Sequence, residues 1–148
     1  MSDSTNNIPI YCAHDDLADI TTLVPNPRNP NRHPDKQIEL LAKIIKNQGW
    51  RAPITVSTRS GFIVRGHGRL LAAQKLGLAV VPVDRQDYAS EAEEWADMIA
   101  DNRIAELSEL DDEAVSMLLA EIGEEFYREL TGFQIQDIDQ QADDSMER

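Results

Sequence analysis

The five residues Arg65-Gly66-His67-Gly68-Arg69 have the types and spacing that point most directly to chemistry. A β-prone run at 62–64 precedes them and a Leu- and Ala-rich run at 70–76 follows, which predicts a strand, a glycine turn and a helix. A helix that begins at about Gly68 leaves its first amides unpaired and exposes its positive dipole end. Glycines let a phosphate approach the backbone, and Arg65 and Arg69 offer paired donors for its oxygens. The turn is therefore a predicted phosphate-binding site.

His67 adds an imidazole to this turn, and an imidazole can donate a hydrogen bond, transfer a proton or bind a metal. We take His67 as the candidate catalytic residue. The alternative is a tight turn without a ligand, because a Gly-x-Gly before a helix is common and the spacing matches neither the Walker nor the dinucleotide-binding motif. The pattern alone leaves both interpretations open.

Four prolines within residues 25–34 exclude regular secondary structure and predict an extended, semi-rigid loop. This Pro/Asn loop presents Arg28, Arg32 and His33. For His33 taken singly, the alternative is an exposed loop residue without a ligand.

Apolar periodicity and glycine and proline stops predict the elements that position these residues. The predicted strands lie at 20–24, 54–57, 62–64 and 80–83. One helix has Pro34 in its first turn, ends at Gly49 and buries Ile38, Leu41, Ile44 and Ile45, and a second occupies 70–76 before Gly77. Pro82 cannot donate to a ladder, so the last strand is predicted at the edge of a small sheet, or paired on one side only at that point.

Helices also dominate the sequence after residue 90. Ser90 and Glu93 have capping-box spacing, and the helix that follows is predicted to run to about Ala105 with Trp95 in the core. Another helix begins at about Asp112, with the apolar stripe Val115, Leu118, Leu119 and Ile122 before Gly123, and shorter helical pieces carry Phe126, Tyr127, Leu130, Ile135 and Ile138. These stripes need a partner surface, either the module itself or a neighbouring subunit.

Charge divides the chain into three parts, with net charges of -4 over residues 1–19, +8 over 20–83 and -17 over 84–148. We expect a flexible N-terminal arm at 1–19, one α/β domain at 20–107 and an acidic helical extension with a frayed end at 108–148. The total of -13 disfavours binding of nucleic acid by the chain as a whole, whereas the basic middle segment can attract an anion. The alternative is a basic module that its own acidic tail stabilises.

Cys12 is the single cysteine, which excludes an internal disulfide and a multi-cysteine metal site. No apolar run approaches the roughly 18 residues of a membrane helix, and the N-terminus lacks the apolar core of a secretion signal. We expect a cytoplasmic protein without a membrane partner.

Several of these segments follow one another in an order that resembles the ParB/sulfiredoxin superfamily. The residues that carry the resemblance are 23–28, the helix ending at Gly49, 53–56, 66–73 and 81–83. The resemblance spans about residues 20–107. It is strongest to the ParB-like domains of phage proteins and to those found beside DNA adenine or cytosine methyltransferases. These domains often continue with a segment similar to residues 100–107 here. It implies an α/β (α+β) fold with a small mixed sheet, followed here by a C-terminal helical extension.

The resemblance also implies a ligand, because the glycine-rich box of chromosome-partitioning relatives binds the triphosphate of CTP. Gly66, Gly68 and Arg69 would then hold the phosphates of a nucleoside triphosphate, CTP or ATP, accompanied by Mg²⁺. Asp101 would help to bind the metal, and Asn102 the phosphates. The Pro/Asn loop and residues 49–53 would wall the nucleoside, with Arg28, Arg32 and His33 as candidate contacts of the nucleotide.

The sequence departs from the family pattern at three places. His67 stands where partitioning proteins carry an acidic residue, and Ala105 where they carry a basic one. The box also lacks the cysteine of sulfiredoxins. Because Cys12 lies outside the module, we do not expect sulfinic-acid reduction.

Two enzyme classes stay open as alternatives. Some family members are labelled nucleases, and a metal-assisted nuclease site could combine His67, His33, Asp101 and Arg69. Another branch of the superfamily phosphorylates free serine, which here would use His67 with Glu39 or Asp101.

The interpretation that we favour is a nucleotide-binding module in DNA transactions such as phage DNA modification, partition or packaging. No basic recognition helix follows Ala105, so we expect indirect contact with DNA. A DNA methyltransferase and a second copy of the chain are candidate partners. The remaining alternative is an adaptor whose acidic C-terminal helices bind another protein.

Overall fold

The computed structural model describes residues 4–5 and 8–133. It forms two compact units, Met1–Ala105 and Glu106–Arg148, so the division lies two residues before the expected boundary. None of the described helices combines the length and the hydrophobicity that crossing a bilayer requires.

In its described residues, the first unit contains six strands and three α-helices. The strands are β1 (Ser4–Thr5), β2 (Ile8–Pro9), β3 (Asp16–Asp19), β4 (Ile54–Ser57), β5 (Ile63–Arg65) and β6 (Val80–Gln86). The helices are α1 (Asp35–Gln48), α2 (His67–Lys75) and α3 (Glu91–Leu107), of which α3 continues past the division between the units. The predicted helices are confirmed, including the stop of α1 at Gly49, whose φ is +78°.

Four strands form a mixed sheet in the order β3-β6-β4-β5. The central pair β4 and β6 is parallel, while β3 and β5 run antiparallel to their neighbours. The expected α/β fold with a small mixed sheet is thus confirmed.

The prediction of an edge position for the Pro82 strand is wrong, because β6 lies between β3 and β4. The alternative, that the strand pairs on one side only at Pro82, is confirmed. Pro82 is in register with Leu17 of β3, and the register with β4 begins only at Val83.

The edge strand β3 is Asp16–Asp19, and the predicted strand at 20–24 is not present. Residues Ile20–Thr22 form a 3₁₀ turn instead. The Asp19 side chain accepts hydrogen bonds from the amide and the hydroxyl of Thr21, at 2.8 and 2.7 Å, and this cap stabilises a turn in place of an extended chain.

The described part of the predicted flexible arm is also packed. Ile8 and Ile10 are each only 8% exposed, and the amide of Tyr11 donates to the Trp50 carbonyl at 2.9 Å. These contacts and the pairing of β3 with β6 order residues 8–19, because they bury apolar side chains and satisfy backbone groups.

One apolar core joins the sheet to α1 and α2. Its most buried side chains include Trp50, Ile54, Ile63, Leu70, Val81 and Val83. A smaller cluster of Val64, Tyr88 and Met98, with Trp95 partly buried against it, attaches α3. The predicted capping box begins α3, because the Ser90 hydroxyl accepts from the Glu93 amide at 3.1 Å.

A buried carboxylate fixes the first half of α3 to the β4–β5 turn. Glu94 is 1% exposed and accepts hydrogen bonds from the hydroxyls of Ser57 and Ser60. The Nε of Arg59 lies 3.4 Å from the same carboxylate. Two donors and a cation therefore compensate the charge that burial would otherwise make costly.

The second unit is helical in its described part, with α4 (Asp112–Ile122) and α5 (Glu125–Glu129). The expected apolar stripe is only partly buried, because Leu119 is 3% exposed and Leu118 is 62% exposed. The predicted helical pieces at Ile135 and Ile138 and the frayed end lie outside the described residues.

Replacing Glu94 by alanine is expected to destabilise the protein by about 2–4 kcal/mol, because it leaves the buried Ser57 hydroxyl, the partly buried Ser60 hydroxyl and a guanidinium without their acceptor. Urea denaturation followed by circular dichroism measures this change. Glu91→Ala removes an exposed carboxylate from the first turn of the same helix and should cost less than about 1 kcal/mol. Equal stability of the two variants would contradict the assignment of Glu94.

Candidate functional site

A sharp turn joins the end of β5 to the start of α2. Gly66 has a φ of +95°, in the left-handed region that favours glycine. A Cβ atom there would lie 3.1 Å from Arg69 Nη1 and 3.2 Å from the Cα of Ile54. The helix begins at His67, one residue earlier than the sequence predicts.

The start of α2 has unpaired backbone amides. Its first backbone hydrogen bond runs from the Leu70 amide to the Gly66 carbonyl at 3.0 Å, and no side chain caps the helix. Within the described residues, the amides of His67, Gly68 and Arg69 therefore have no acceptor. Such amides, together with the helix dipole, form a binding position for an anion.

These amides lie at a cavity of about 200 Å³. Eight of the predicted site residues line it, namely Arg65, Gly66, His67, Gly68, Arg69, His33, Asp101 and Asn102. The turn, the Pro/Asn loop and α3 thus contribute to one cavity, although they are far apart in the sequence. Five further lining residues were not named individually as site residues, namely Asn29 and Asn31 of the Pro/Asn loop, and Leu41, Val64 and Met98.

Arg28 and Arg32, which the sequence analysis placed among the ligand contacts, are not among the residues that line the cavity. The guanidinium carbon of Arg28 lies 5.0 Å from the centre of the Trp95 ring, in a cation–π contact. Arg32 is exposed. The Pro/Asn loop thus contributes His33 and two asparagines to the cavity, and neither of these arginines.

Arg69 is the arginine best placed to meet an anion. Its Nη1 donates to the Pro53 carbonyl at 2.9 Å, which holds the guanidinium beneath the turn. Burial lowers the pKa of Arg69, and the charge of Asp101 opposes that change. A guanidinium stays protonated in proteins, so a largely buried cation faces the cavity with N–H groups to spare.

Arg65 is already paired with acids of α3. Its Nη2 lies 2.5 Å from Asp97, its Nε lies 3.9 Å from Asp101, and the hydroxyl of Tyr88 donates to the other oxygen of Asp97 at 2.6 Å. The hydrogen bond to Asp97 raises the pKa of Arg65. Arg65 thus holds α3 against the turn as well as lining the cavity, a role that the sequence did not reveal.

His67 is a neutral ring with one nitrogen already engaged. Burial, reinforced by the charge of His33, lowers the pKa of His67 to about 4. Its Nε2 lies 3.2 Å from the Asn26 amide nitrogen and accepts that hydrogen bond, so the proton of the neutral ring is on Nδ1. His67 therefore connects the turn to the Pro/Asn loop, and proton transfer would have to use Nδ1.

Asp101 is the carboxylate on the cavity wall, with Asn102 beside it. Among the residues that the structure describes, no group of three or more His, Cys, Asp or Glu side chains is arranged to hold a metal ion. A Mg²⁺ ion nevertheless binds through one or two carboxylates when substrate phosphates supply the other oxygens. The side chains present fit that arrangement and do not fit a metal site made of protein groups alone.

Comparison with known proteins identifies the fold and the family. The ParB N-terminal domain matches residues 13–102. The chain belongs to this family. Because the match begins at residue 13, it includes β3, which lies in the segment expected to be a flexible arm.

A curated relative of this ParB N-terminal domain is the ParB-like nuclease domain-containing protein YnaK of Escherichia coli (strain K12). It is 38% identical over 61 residues, which make up 41% of this chain and 69% of the relative.

Two solved structures share the fold. The C-terminally truncated chromosome-partitioning protein ParB from Caulobacter crescentus, complexed with CTP-gamma-S, matches with a TM-score of 0.65 and 24% identity, over 82% of this chain and 73% of that chain. The same protein complexed to the centromeric parS site matches with a TM-score of 0.50 and 23% identity, over 85% of this chain and 63% of that chain.

The partly buried His67 ring, whose pKa is lowered to about 4, predicts an unusual titration. The histidine resonance that disappears in His67→Gln should titrate in the NMR spectrum of the native protein with a midpoint near pH 4. Since the unfolded ring binds its proton at about pH 6.5, this group should lower the stability of the fold as the pH falls from about 6.5 to about 4. A midpoint at pH 6 or above would contradict the neutral ring.

Proposed function

We propose that this ParB N-terminal domain binds the phosphates of a nucleoside triphosphate at the start of α2 and acts in DNA transactions. The observation that carries the proposal is the convergence of unpaired amides and the Arg69 guanidinium on one cavity. Amides, guanidinium and dipole each favour negative charge, and all three are held in place before a ligand arrives.

The electrostatics of the cavity favour a polyphosphate accompanied by a cation. Arg65 is compensated by Asp97, whereas Arg69 makes its hydrogen bond to an uncharged carbonyl. Asp101 would repel a phosphate that came alone. A divalent cation bound between Asp101 and phosphate oxygens would remove this repulsion, so we expect Mg²⁺ to strengthen binding.

The family supports a role in DNA transactions. The two Caulobacter structures with the same fold are complexes with a nucleotide analogue and with parS DNA. In this chain, residues 84–148 carry a net charge of -17, which disfavours their direct contact with DNA phosphates. We therefore place nucleotide binding in the basic module, with DNA modification, partition or packaging reached through a partner such as a DNA methyltransferase.

A thermal-shift panel of ATP, CTP, GTP and UTP, each with and without Mg²⁺, tests nucleotide binding. At about a hundredfold excess over Kd, a ligand stabilises the native state by about 2.7 kcal/mol, which raises the melting temperature by several degrees. Arg69→Ala should abolish the shift, whereas Arg32→Ala, which removes an exposed arginine outside the cavity, should preserve it. The proposal fails if none of the four nucleotides shifts the native protein.

A nuclease is the second candidate, favoured by the YnaK relative and by the position of His67 and Asp101 on one cavity. It predicts nicking of supercoiled plasmid DNA in the presence of Mg²⁺ or Mn²⁺. His67→Ala should reduce the rate at least a hundredfold, as removal of a general acid or base does. Equal nicking by native protein and His67→Ala would trace the activity to a contaminant and remove this candidate.

A further inference from the structure

Apolar side chains remain exposed around the turn between α4 and α5. Met117 and Leu118 are 61% and 62% exposed, and Phe126 and Tyr127 are each 44% exposed. Ile122, the last residue of α4, is exposed as well. We call these five residues the α4–α5 apolar surface. Single exposed apolar residues are common in proteins, whereas a concentration of them in one short segment is typical of a contact with another molecule.

The local structure brings these side chains onto both sides of one tight turn. Leu118 and Ile122 are four residues apart in α4 and therefore lie one above the other on the same side of the helix. The Glu124 amide donates to the Ile122 carbonyl at 2.8 Å, and α5 begins at the next residue. In α5 the rings of Phe126 and Tyr127 meet edge to face, with their centres 5.3 Å apart.

The second unit buries a different set of apolar side chains. Leu119 of α4 is buried, and so is Leu130, the residue that follows α5. The helix α4 thus has an apolar side chain in the core of its unit and others that face solvent. More apolar surface is present than this small core uses, which is unfavourable for a helix that contacts only water on its outer side.

Exposed carboxylates are interspersed with the apolar surface. Between residues 111 and 129 the one cation is Arg128, which is half-buried. The exposed acids of the same segment are Asp111, Asp112, Glu113, Glu121, Glu124, Glu125 and Glu129. A molecule that covers the apolar surface must therefore combine apolar groups with positive charge.

We propose that the α4–α5 apolar surface binds a basic amphipathic helix of a partner protein. The apolar face of that helix would pack on Leu118 and Ile122, and its flanking lysines and arginines would lie near the carboxylates. Met117 has a flexible side chain that adapts to the shape of its partner. None of the residues of the surface lines the cavity, so the inference does not depend on nucleotide binding.

Charge disfavours the other occupants. Residues 134–148 carry a net charge of -4, and a second copy would bring the same acidic surface. The basic segment 20–83 of a second copy exposes two large apolar side chains, Val24 and Leu71, and so offers no matching apolar face. Nucleic acids and the anionic surfaces of membranes are repelled by the carboxylates.

The preference for a basic helix can be measured by fluorescence anisotropy of labelled peptides that are titrated with the full chain. The probes are three designed amphipathic helices of about 18 residues. One combines a leucine face with lysines, one combines the same leucine face with glutamates, and one keeps the lysines and replaces the leucines by glutamine. We expect binding of the Lys/Leu peptide alone, and a loss of affinity as salt is added.

Variants of the apolar residues test whether this surface is the binding site. Leu118→Gln removes an apolar contact without changing the charge, and it should weaken binding of the Lys/Leu peptide about tenfold. Ile99→Gln makes the same kind of change at an exposed position of α3 and should leave the affinity unchanged. Phe126→Gln provides a second test of the surface, with the same expected loss, if Leu118→Gln prevents folding.

A charge reversal tests the contribution of the carboxylates. Glu121→Lys places a cation in the last turn of α4, where the helix dipole favours it. The variant should bind the Lys/Leu peptide severalfold more weakly and with a smaller dependence on salt. Glu91→Lys changes the net charge of the chain by the same amount from the first turn of α3, and should leave the affinity unchanged.

The proposal is overturned if the Glu/Leu or the Lys/Gln peptide binds as tightly as the Lys/Leu peptide, or if none of the three binds. It is also overturned if Leu118→Gln abolishes self-association of the native chain in sedimentation velocity, because a second copy would then cover the surface. Loss of binding to phosphatidylserine vesicles in the same variant would assign the surface to a membrane. Each of these results leaves the proposed nucleotide binding untouched.

Discussion

The candidate site depends on a backbone constraint at one residue. Gly66 adopts a left-handed conformation that ends β5 and begins α2 within a single step, and this geometry leaves the first amides of the helix without acceptors. The same residue leaves room for the Arg69 guanidinium, which passes within 3.1 Å of where a Cβ would be. The first amides of α2 and the Arg69 guanidinium therefore lie at the same cavity, because residue 66 has no side chain between them.

Much of the fold follows from local signals in the sequence. Glycine stops end α1 and α4 where the sequence predicts, and the capping box at Ser90 and Glu93 begins α3. The conformation of the turn between β5 and α2 was also predictable, since alternating glycines between a strand and a helix favour a sharp turn and leave the first amides of the helix free. These features depend on residues within one turn of each other, which is the range that a sequence pattern describes.

The parts that could not be predicted depend on tertiary contacts. The strand β3 contains two aspartates and has little β propensity of its own, yet it pairs with β6, and Asp16 forms an ion pair with Arg85 at 2.9 Å. The partners of Arg65 and His67 come from α3 and from the Pro/Asn loop. The pattern grouped the residues of the turn but gave no means of knowing that Arg28 and Arg32 do not line the cavity.

The buried Glu94 has a consequence for how such a module can be combined with other domains. It secures α3 two helical turns before Asp101, and it does so through Ser57 at the end of β4 and Ser60 in the β4–β5 turn. The part of α3 that lines the cavity is therefore held in place by contacts that come before Ala105, the last residue of the first unit. Changes of length or charge in the segments after Ala105 therefore leave intact the contacts that hold this wall of the candidate site.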